Sequence, residues 1–446
     1  MKNRKVTAVL LALAFLVAII TPSAAQNKMP LTLQAAIDLS IKNSPRLKNS
    51  SAKVEEASAA IKEAEDRRLP DISGSGAYLR LNKPNVAIKT KTTQPAPGGT
   101  PSGETANPSK AAYGMVNASL PLYSGLRIRY GIEAAKYLEQ ALKLDAANDK
   151  EGVILNTIDA YNNLYKSKAA ATLVKQSLEE AKQRVKELAN LEKNGLLARN
   201  DLLKAQLQTS NTELALLDAE NNWQLSNINM TLMLGLPETT EIIPDSSTLV
   251  PGTDVKNAAD YLQIALQNRK DLSAFSYRKK ATAVEVKSIA AEKYPSLALT
   301  GGYVAIDVPK VLTVTNAVNL GIGIQYNLAS LWKLKARVQE AKAREKQVAA
   351  NEDMLTNAIR LQVNQAYLNY LLSRKKIAVQ AEAVAQAEDN YNVINNKYKN
   401  GLATVTDLLD ADIVQLQARM NYSFSKSDAA VAYQKLLQSA GIVNQQ

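Results

Sequence analysis

Cysteine and histidine are both missing from the 446 residues. Without cysteine there is no disulfide, no thiol nucleophile, no cysteine metal site and no attachment point for a lipoprotein acyl anchor. Without histidine the commonest general base and the commonest transition-metal ligand are gone. Carboxylate chemistry remains open in principle, but no pair of acids converges in the pattern a hydrolase needs. We therefore assign no catalytic residue, no cofactor and no metal site, and expect no enzyme. Helix breakers are also scarce where they would matter. No proline lies between Pro121 and Pro237 or after Pro309, and no glycine between Gly323 and Gly401. Such runs predict long helices.

The net charge is +12. Its lysines and glutamates are scattered along helical stretches, which reads as solvated faces and not as a nucleic-acid surface. Three of the cations, Lys2, Arg4 and Lys5, precede an apolar run from Val6 to Ile20 and the small residues Ser23 and Ala25. This is the pattern of a secretory signal peptide over residues 1–25, with Gln26 first in the mature chain. The run is shorter than the roughly 20 residues of a spanning helix, so export is expected.

The rest of the chain repeats itself in register. Asn43, Leu47, Lys62, Pro70, Gly76 and Tyr78 return as Asn268, Leu272, Lys287, Pro295, Gly301 and Tyr303. Lys193-Asn194-Gly195-Leu196, Asp201-Leu202-Leu203 and Ala205 return as Lys399-Asn400-Gly401-Leu402, Asp407-Leu408-Leu409 and Ala411. Tyr161 and Gly235 recur as Tyr367 and Gly441. We expect two structural repeats, 26–235 and 257–446, joined by a proline-bearing linker over 236–256.

Each repeat reads as short helices, two strands, a very long helix, a tight turn and a returning helix. The helix expected from about Leu126 to Leu191 would be roughly 100 Å long, with a twin from Leu331 to Lys397. The returning helices are expected over 201–234 and 407–439. Ile154, Ile158, Tyr161 and Tyr165 step by fours and threes, as do Leu203, Leu207, Ser210, Leu214 and Leu217. That is coiled-coil spacing. Between the helices, Val318, Leu320, Ile322, Ile324, Tyr326 and Leu328 alternate with small or polar residues, and so do Ala112, Val116, Ala118, Leu120 and Leu122. Period-two patterning over ten to thirteen residues suits either an exposed hairpin or a tilted membrane strand. In lipid the sheet must close, and four strands are too few when the smallest such barrels have about eight. Spanning would therefore require strands from sister chains. The alternative is a soluble exported coiled-coil scaffold or binding protein.

Taken together, the signal segment, the duplicated halves, the opening Leu31-Thr32-Leu33-Gln34-Ala35-Ala36-Ile37 with Asn43-Ser44-Pro45, the strand exit Leu122-Tyr123-Ser124-Gly125 and both hairpin tips resemble the TolC family of outer-membrane efflux channels. The resemblance implies a mixed, mainly α fold. Long antiparallel helical hairpins would form an α-barrel, and four strands per chain would enter a trimeric transmembrane β-barrel. It further implies a homotrimer in outer-membrane lipid of a Gram-negative bacterium. A periplasmic adaptor (membrane fusion) protein would join it to an inner-membrane RND or ABC pump, so that the protein is the passive exit duct of a tripartite efflux or type I secretion system.

The tips carry the candidate sites. Gly195, Leu196, Leu197, Gly401, Leu402 and Ala403 build turns, and by resemblance they also mark adaptor docking. Asp407 and Asp410 lie one helical turn apart on one face. They serve either as N-terminal acids favoured by the helix dipole or, by resemblance, as carboxylates projecting into the lumen at the entrance. Asp201 and Tyr398 match family positions that hold the entrance shut. The family arginine beside the second tip is replaced by Ala403. Thr404 and Asp407 have capping-box spacing, and Asn200 is expected to cap its own helix.

Overall fold

The computed structural model describes residues 28–82, 108–245, 255–309 and 311–443. The expected signal peptide and most of the loop between the first two long strands lie outside them. The elements run β1 (Lys28–Leu31), α1 (Leu33–Asn43), α2 (Pro45–Asp66), β2 (Asp71–Arg80), β3 (Lys110–Tyr123), α3 (Arg127–Lys193), α4 (Arg199–Leu234) and β4 (Glu241–Pro244). They continue with α5 (Ala258–Asn268), α6 (Lys270–Ala290), a short 3-10 turn (Ala291–Lys293), β5 (Ser296–Val308), β6 (Leu312–Gln325), α7 (Ser330–Lys399) and α8 (Val405–Ser439). The long helices expected from these runs are α3 and α7, of 67 and 70 residues, and α3 carries Gly131 and Gly152 without breaking. No described helix is long and apolar enough to cross a membrane.

Contacts divide the chain into two compact units. One contains the described parts of Met1–Ser50, Ala146–Lys270 and Thr356–Gln446. Local capping starts its short helices. Thr32 accepts from the Ala35 N–H at 3.3 Å, Asn257 from the Asp260 N–H at 2.8 Å, and Pro45 opens α2 at a position where no N–H is needed. The main core gathers Leu31, Ala36, Tyr161, Leu164, Met230, Leu234 and Ile242. Tyr161 is fully buried, and its hydroxyl donates to the Leu31 carbonyl at 2.7 Å and accepts from the Asp245 N–H at 2.8 Å. A buried phenol needs such partners. They fix β1 against β4, which pair in parallel from Lys28↔Glu241 to Leu31↔Pro244. The stretch expected to be only a linker therefore holds a strand. The sequence twin of Tyr161, Tyr367, is only half-buried. Tyr370 takes the core position instead, its ring 5.5 Å from that of Tyr433.

The second unit, Ser51–Asp145 with Asp271–Leu355, holds a four-stranded antiparallel sheet in the order β2-β3-β5-β6. The strands are 10, 14, 13 and 14 residues long. The register puts Ile72↔Ala118↔Gly301↔Leu320 and Val116↔Tyr303↔Val318 on one row each. All belong to one face, which also carries Tyr78, Leu120, Leu299, Ile322 and Ile324. The opposite face presents Ser73, Ser75, Asn117, Ser119, Thr300, Asn319 and Gln325. The alternation seen within single strands thus aligns across all four. The apolar face is open, with Leu320 79% and Ile324 74% exposed. Leu122 is the extra residue of a bulge between Pro121 and Tyr123. β2 and β6 each have one free edge among the described residues. β6 starts at Leu312, earlier than the alternation alone marks, and ends at Gln325, so Tyr326 and Leu328 stand just beyond it.

Candidate functional site

The candidate residues cluster where α3 turns into α4 and α7 into α8, inside one compact unit. Both turns have the same construction. Gly195 and Gly401 each sit at φ +72, a left-handed conformation that costs a side-chain-bearing residue energy and glycine nothing. The Leu196 N–H reaches back to the Leu191 carbonyl at 2.9 Å and the Leu402 N–H to Lys397 at 2.8 Å. These are Schellman closures of helix C-termini. Asn194 and Asn400 donate their side-chain amides to the carbonyls of Asn190 and Asn396 at 2.7 and 2.8 Å.

One consequence is that both tip leucines point out. Leu196 and Leu402 are each 75% exposed. Leu197 turns inward and packs on Leu188, Leu202, Ala205, Val405 and Leu409, a cluster that also supports Tyr398. Leu196, Leu197, Gly401, Ala403 and Tyr398 line one cleft of about 890 Å³ between α3 and α7, together with Arg184, Glu187 and Tyr391. Gly195, Leu402, Asp201, Asp407 and Asp410 do not line it.

The capping box at the second tip is complete. The Thr404 hydroxyl accepts from the Asp407 N–H at 3.1 Å. The Asp407 carboxylate accepts from the Thr404 hydroxyl and N–H at 2.7 and 2.8 Å. These bonds, the hydroxyl's first, hold Asp407 below the usual carboxylate range. Asp410, one turn on, is exposed and makes no hydrogen bond or ion pair among the described residues. The first tip differs. Its N-cap is Ala198, with no side-chain bond, and Asn200 falls inside the first turn, too late to cap. Burial and the nearby Asp201 and Glu187 carboxylates raise Tyr398 above its ordinary value. No Tyr398–Asp201 hydrogen bond forms among the described residues. Asp201 instead accepts from Lys204 at 3.4 Å, and Lys204 also donates to the Thr406 hydroxyl at 3.2 Å, tying α4 to the start of α8.

Sequence reasoning passed over one group. Arg184 on α3 donates to Asp412 on α8 at 2.9 Å and to the Tyr391 hydroxyl on α7 at 3.0 Å. The pair's side chains are only 11% and 13% exposed, unlike most ion pairs here. Burial works against the guanidinium's charge, but the Asp412 carboxylate outweighs it and lifts Arg184 above its usual value. The partners are 207 and 228 positions away in sequence, so no local pattern could announce them. No cluster of carboxylates among the described residues could hold a metal ion.

The outer membrane efflux protein family model matches residues 36–236 and 261–442. The outer membrane efflux protein BepC of Brucella suis biovar 1 (strain 1330) is 22% identical over 406 residues, covering 89% of this chain and 87% of that protein. Among solved structures, the outer membrane protein VceC of Vibrio cholerae superposes with a TM-score of 0.74 at 19% identity, over 92% of this chain and 96% of that one. CusC gives 0.75 at 18% identity, over 92% of each. The open state of the MtrE outer membrane channel of Neisseria gonorrhoeae gives 0.71 at 16%, over 93% and 90%. The fold is that of these channels, and with two model matches spanning most of its length the chain belongs to the outer membrane efflux protein family, the TolC-type channels.

Proposed function

We propose that three copies of this chain form the passive exit duct of a tripartite efflux or type I secretion system. Each would contribute four strands to a twelve-stranded barrel in the outer membrane and two helical hairpins to a periplasmic tunnel. A periplasmic adaptor would join the duct to an inner-membrane RND or ABC pump, which supplies the energy. The observation that carries this reading is the sheet: one apolar face continuous over four strands, exposed, with both edges free among the described residues. Leaving Val318, Leu320, Ile322 and Ile324 in water forfeits roughly 1.5–3 kcal/mol apiece. The sum is comparable with the 5–15 kcal/mol net stability of a whole domain. Lipid on that face and neighbouring strands on the edges remove both costs, whereas a soluble scaffold leaves both standing.

A second support comes from the helices. Leu203, Leu207, Leu214 and Leu217 keep coiled-coil spacing yet are 50–64% exposed. Met354, Leu361, Leu368, Leu372 and Val379 on α7 do the same at 54–65%. Both are seams without a partner among the described residues, as expected if sister copies supply one. In this reading residues 1–25 are the signal peptide, 26–235 and 257–446 are the repeats, and 236–256 link them. The exposed tips at Gly195, Leu196, Leu197, Gly401, Leu402 and Ala403 receive the adaptor. Asp407 and Asp410 project carboxylates into the entrance, beside Asp201 and Tyr398.

Purified protein in planar bilayers should give stable single-channel conductance and migrate as a heat-sensitive trimer on gels. Non-conducting, monomeric, salt-extractable protein would overturn the reading.

A further inference from the structure

The end of the sheet nearest the helices has a distinct surface chemistry. The register pairs Asp71 with Ser119, Tyr123 with Leu297 and Ser296 with Gln325, so all four strand–helix junctions lie at the same end. Each junction sets exposed apolar side chains beside cations. Leu69 follows Arg68, Tyr123 and Leu126 precede Arg127 and Arg129, Lys293 precedes Tyr294, and Leu328 and Trp332 precede Lys333 and Lys335. Trp332 is 66% exposed. None of these six cations has an ion-pair partner among the described residues. Their neighbours Arg67 and Arg337, by contrast, pair with Glu63 and Glu292. One junction also has an unusual backbone. Leu126 sits at φ +69 directly after Gly125 at φ +66, a left-handed leucine whose side chain is exposed. An outlier of this kind persists only where its surroundings impose it.

We propose that this collar docks on anionic phospholipid headgroups of the membrane leaflet nearest the helices. The inference rests on the channel reading and adds to it a lipid class and the residues that choose it. Two observations fix the occupant. The collar follows the apolar sheet face in sequence, where the exposed Ile322 and Ile324 are succeeded within a few residues by the exposed Leu328 and Trp332, so one occupant is taken to cover both. And that occupant meets six cations without an ion-pair partner among the described residues, although Arg127 donates to the Ser124 carbonyl at 3.1 Å and Lys293 lies over the Tyr294 ring; a headgroup phosphate would sit among them once the apolar side chains enter the acyl region. Aromatic rings and long basic side chains are suited to that boundary, with their stems in the apolar layer and their charge in the headgroups.

The chain has two tryptophans, Trp223 and Trp332. Trp223→Phe therefore leaves one reporter in the collar, and it removes a ring that lies in the other unit over Lys168. The full-length Trp223→Phe chain would be reconstituted in phosphatidylcholine vesicles. These would contain a small fraction of either phosphatidylglycerol or phosphatidylcholine, brominated near the headgroup end of the acyl chains. A cation near an anionic surface enriches it about fivefold. Quenching by the anionic lipid should exceed that by the neutral lipid severalfold. High salt and the exposed double substitution Lys333→Gln/Lys335→Gln should each bring it back toward the neutral level. Equal quenching by both lipids would overturn the proposal, and so would no quenching in protein that still conducts, since a sister chain would then cover Trp332. Loss of both membrane incorporation and conductance would instead sink the channel reading, and this inference with it.

Discussion

Single residues decide how the tips are held. Asp407 in the Thr404 box is the clearest case, because its lowered pKa ties the cap to its charge. The linkage is that of a depressed carboxylate. The cap's contribution is complete above the ordinary aspartate value and disappears as pH falls through the lowered one. Acid titration by circular dichroism should therefore find the α8 start intact at neutral pH and loosened only in strong acid. Asp407→Asn should remove that dependence. In the same place, replacing Asp407 and Asp410 together with Asn should weaken cation preference in planar-bilayer recordings. Unchanged selectivity would take both out of the conduction path. Arg184 offers a sharper stability test. Arg184→Ala strands the mostly buried Asp412 carboxylate and should cost roughly 3–5 kcal/mol in denaturant melts. Arg184→Met with Asp412→Leu, which removes both charges, should recover most of that loss.

At the level of elements the sequence was legible wherever the signal was local and repeated. The proline-free runs mark α3 and α7, whose expected ends, Leu126 to Leu191 and Leu331 to Lys397, fall within two residues of the observed ones. The glycine at each tip gives both turns, and Thr404 with Asp407 gives the box. Illegible features were those set by partners far away in sequence. Strand β4 hides in a proline-bearing stretch because its identity comes from pairing with β1 and from the Tyr161 hydroxyl. The first tip has no Asn200 cap because α4 starts two residues before the expected Asp201, leaving Ala198 at the cap position. Tyr367 carries the repeat's register but Tyr370 carries the packing, so conserved spacing between halves does not guarantee shared burial. The Leu203–Leu217 stripe spells a coiled coil without saying with whom, and nothing among the described residues covers it. Leu207→Glu with Leu214→Glu should consequently leave the helical content unchanged while abolishing the heat-sensitive trimer. A trimer that survived would mean the stripe faces water.

For the molecule as a whole, docking and conduction should be separable. Leu196→Glu with Leu402→Glu places charges on the two exposed tip side chains, away from Asp407 and Asp410. Conductance in bilayers should be retained while protection of cells against toxic compounds falls toward that of a deletion strain, read by growth inhibition. Loss of both together would mean the tips shape the pore.

The free edges of β2 and β6 carry a further implication for the life of the chain before assembly. A strand edge left unpaired is a template for any other extended segment it meets, including its own kind. Until sister copies arrive, each newly made polypeptide is therefore its own hazard. Its survival depends on how quickly it meets them or on an escort that masks those borders during the wait.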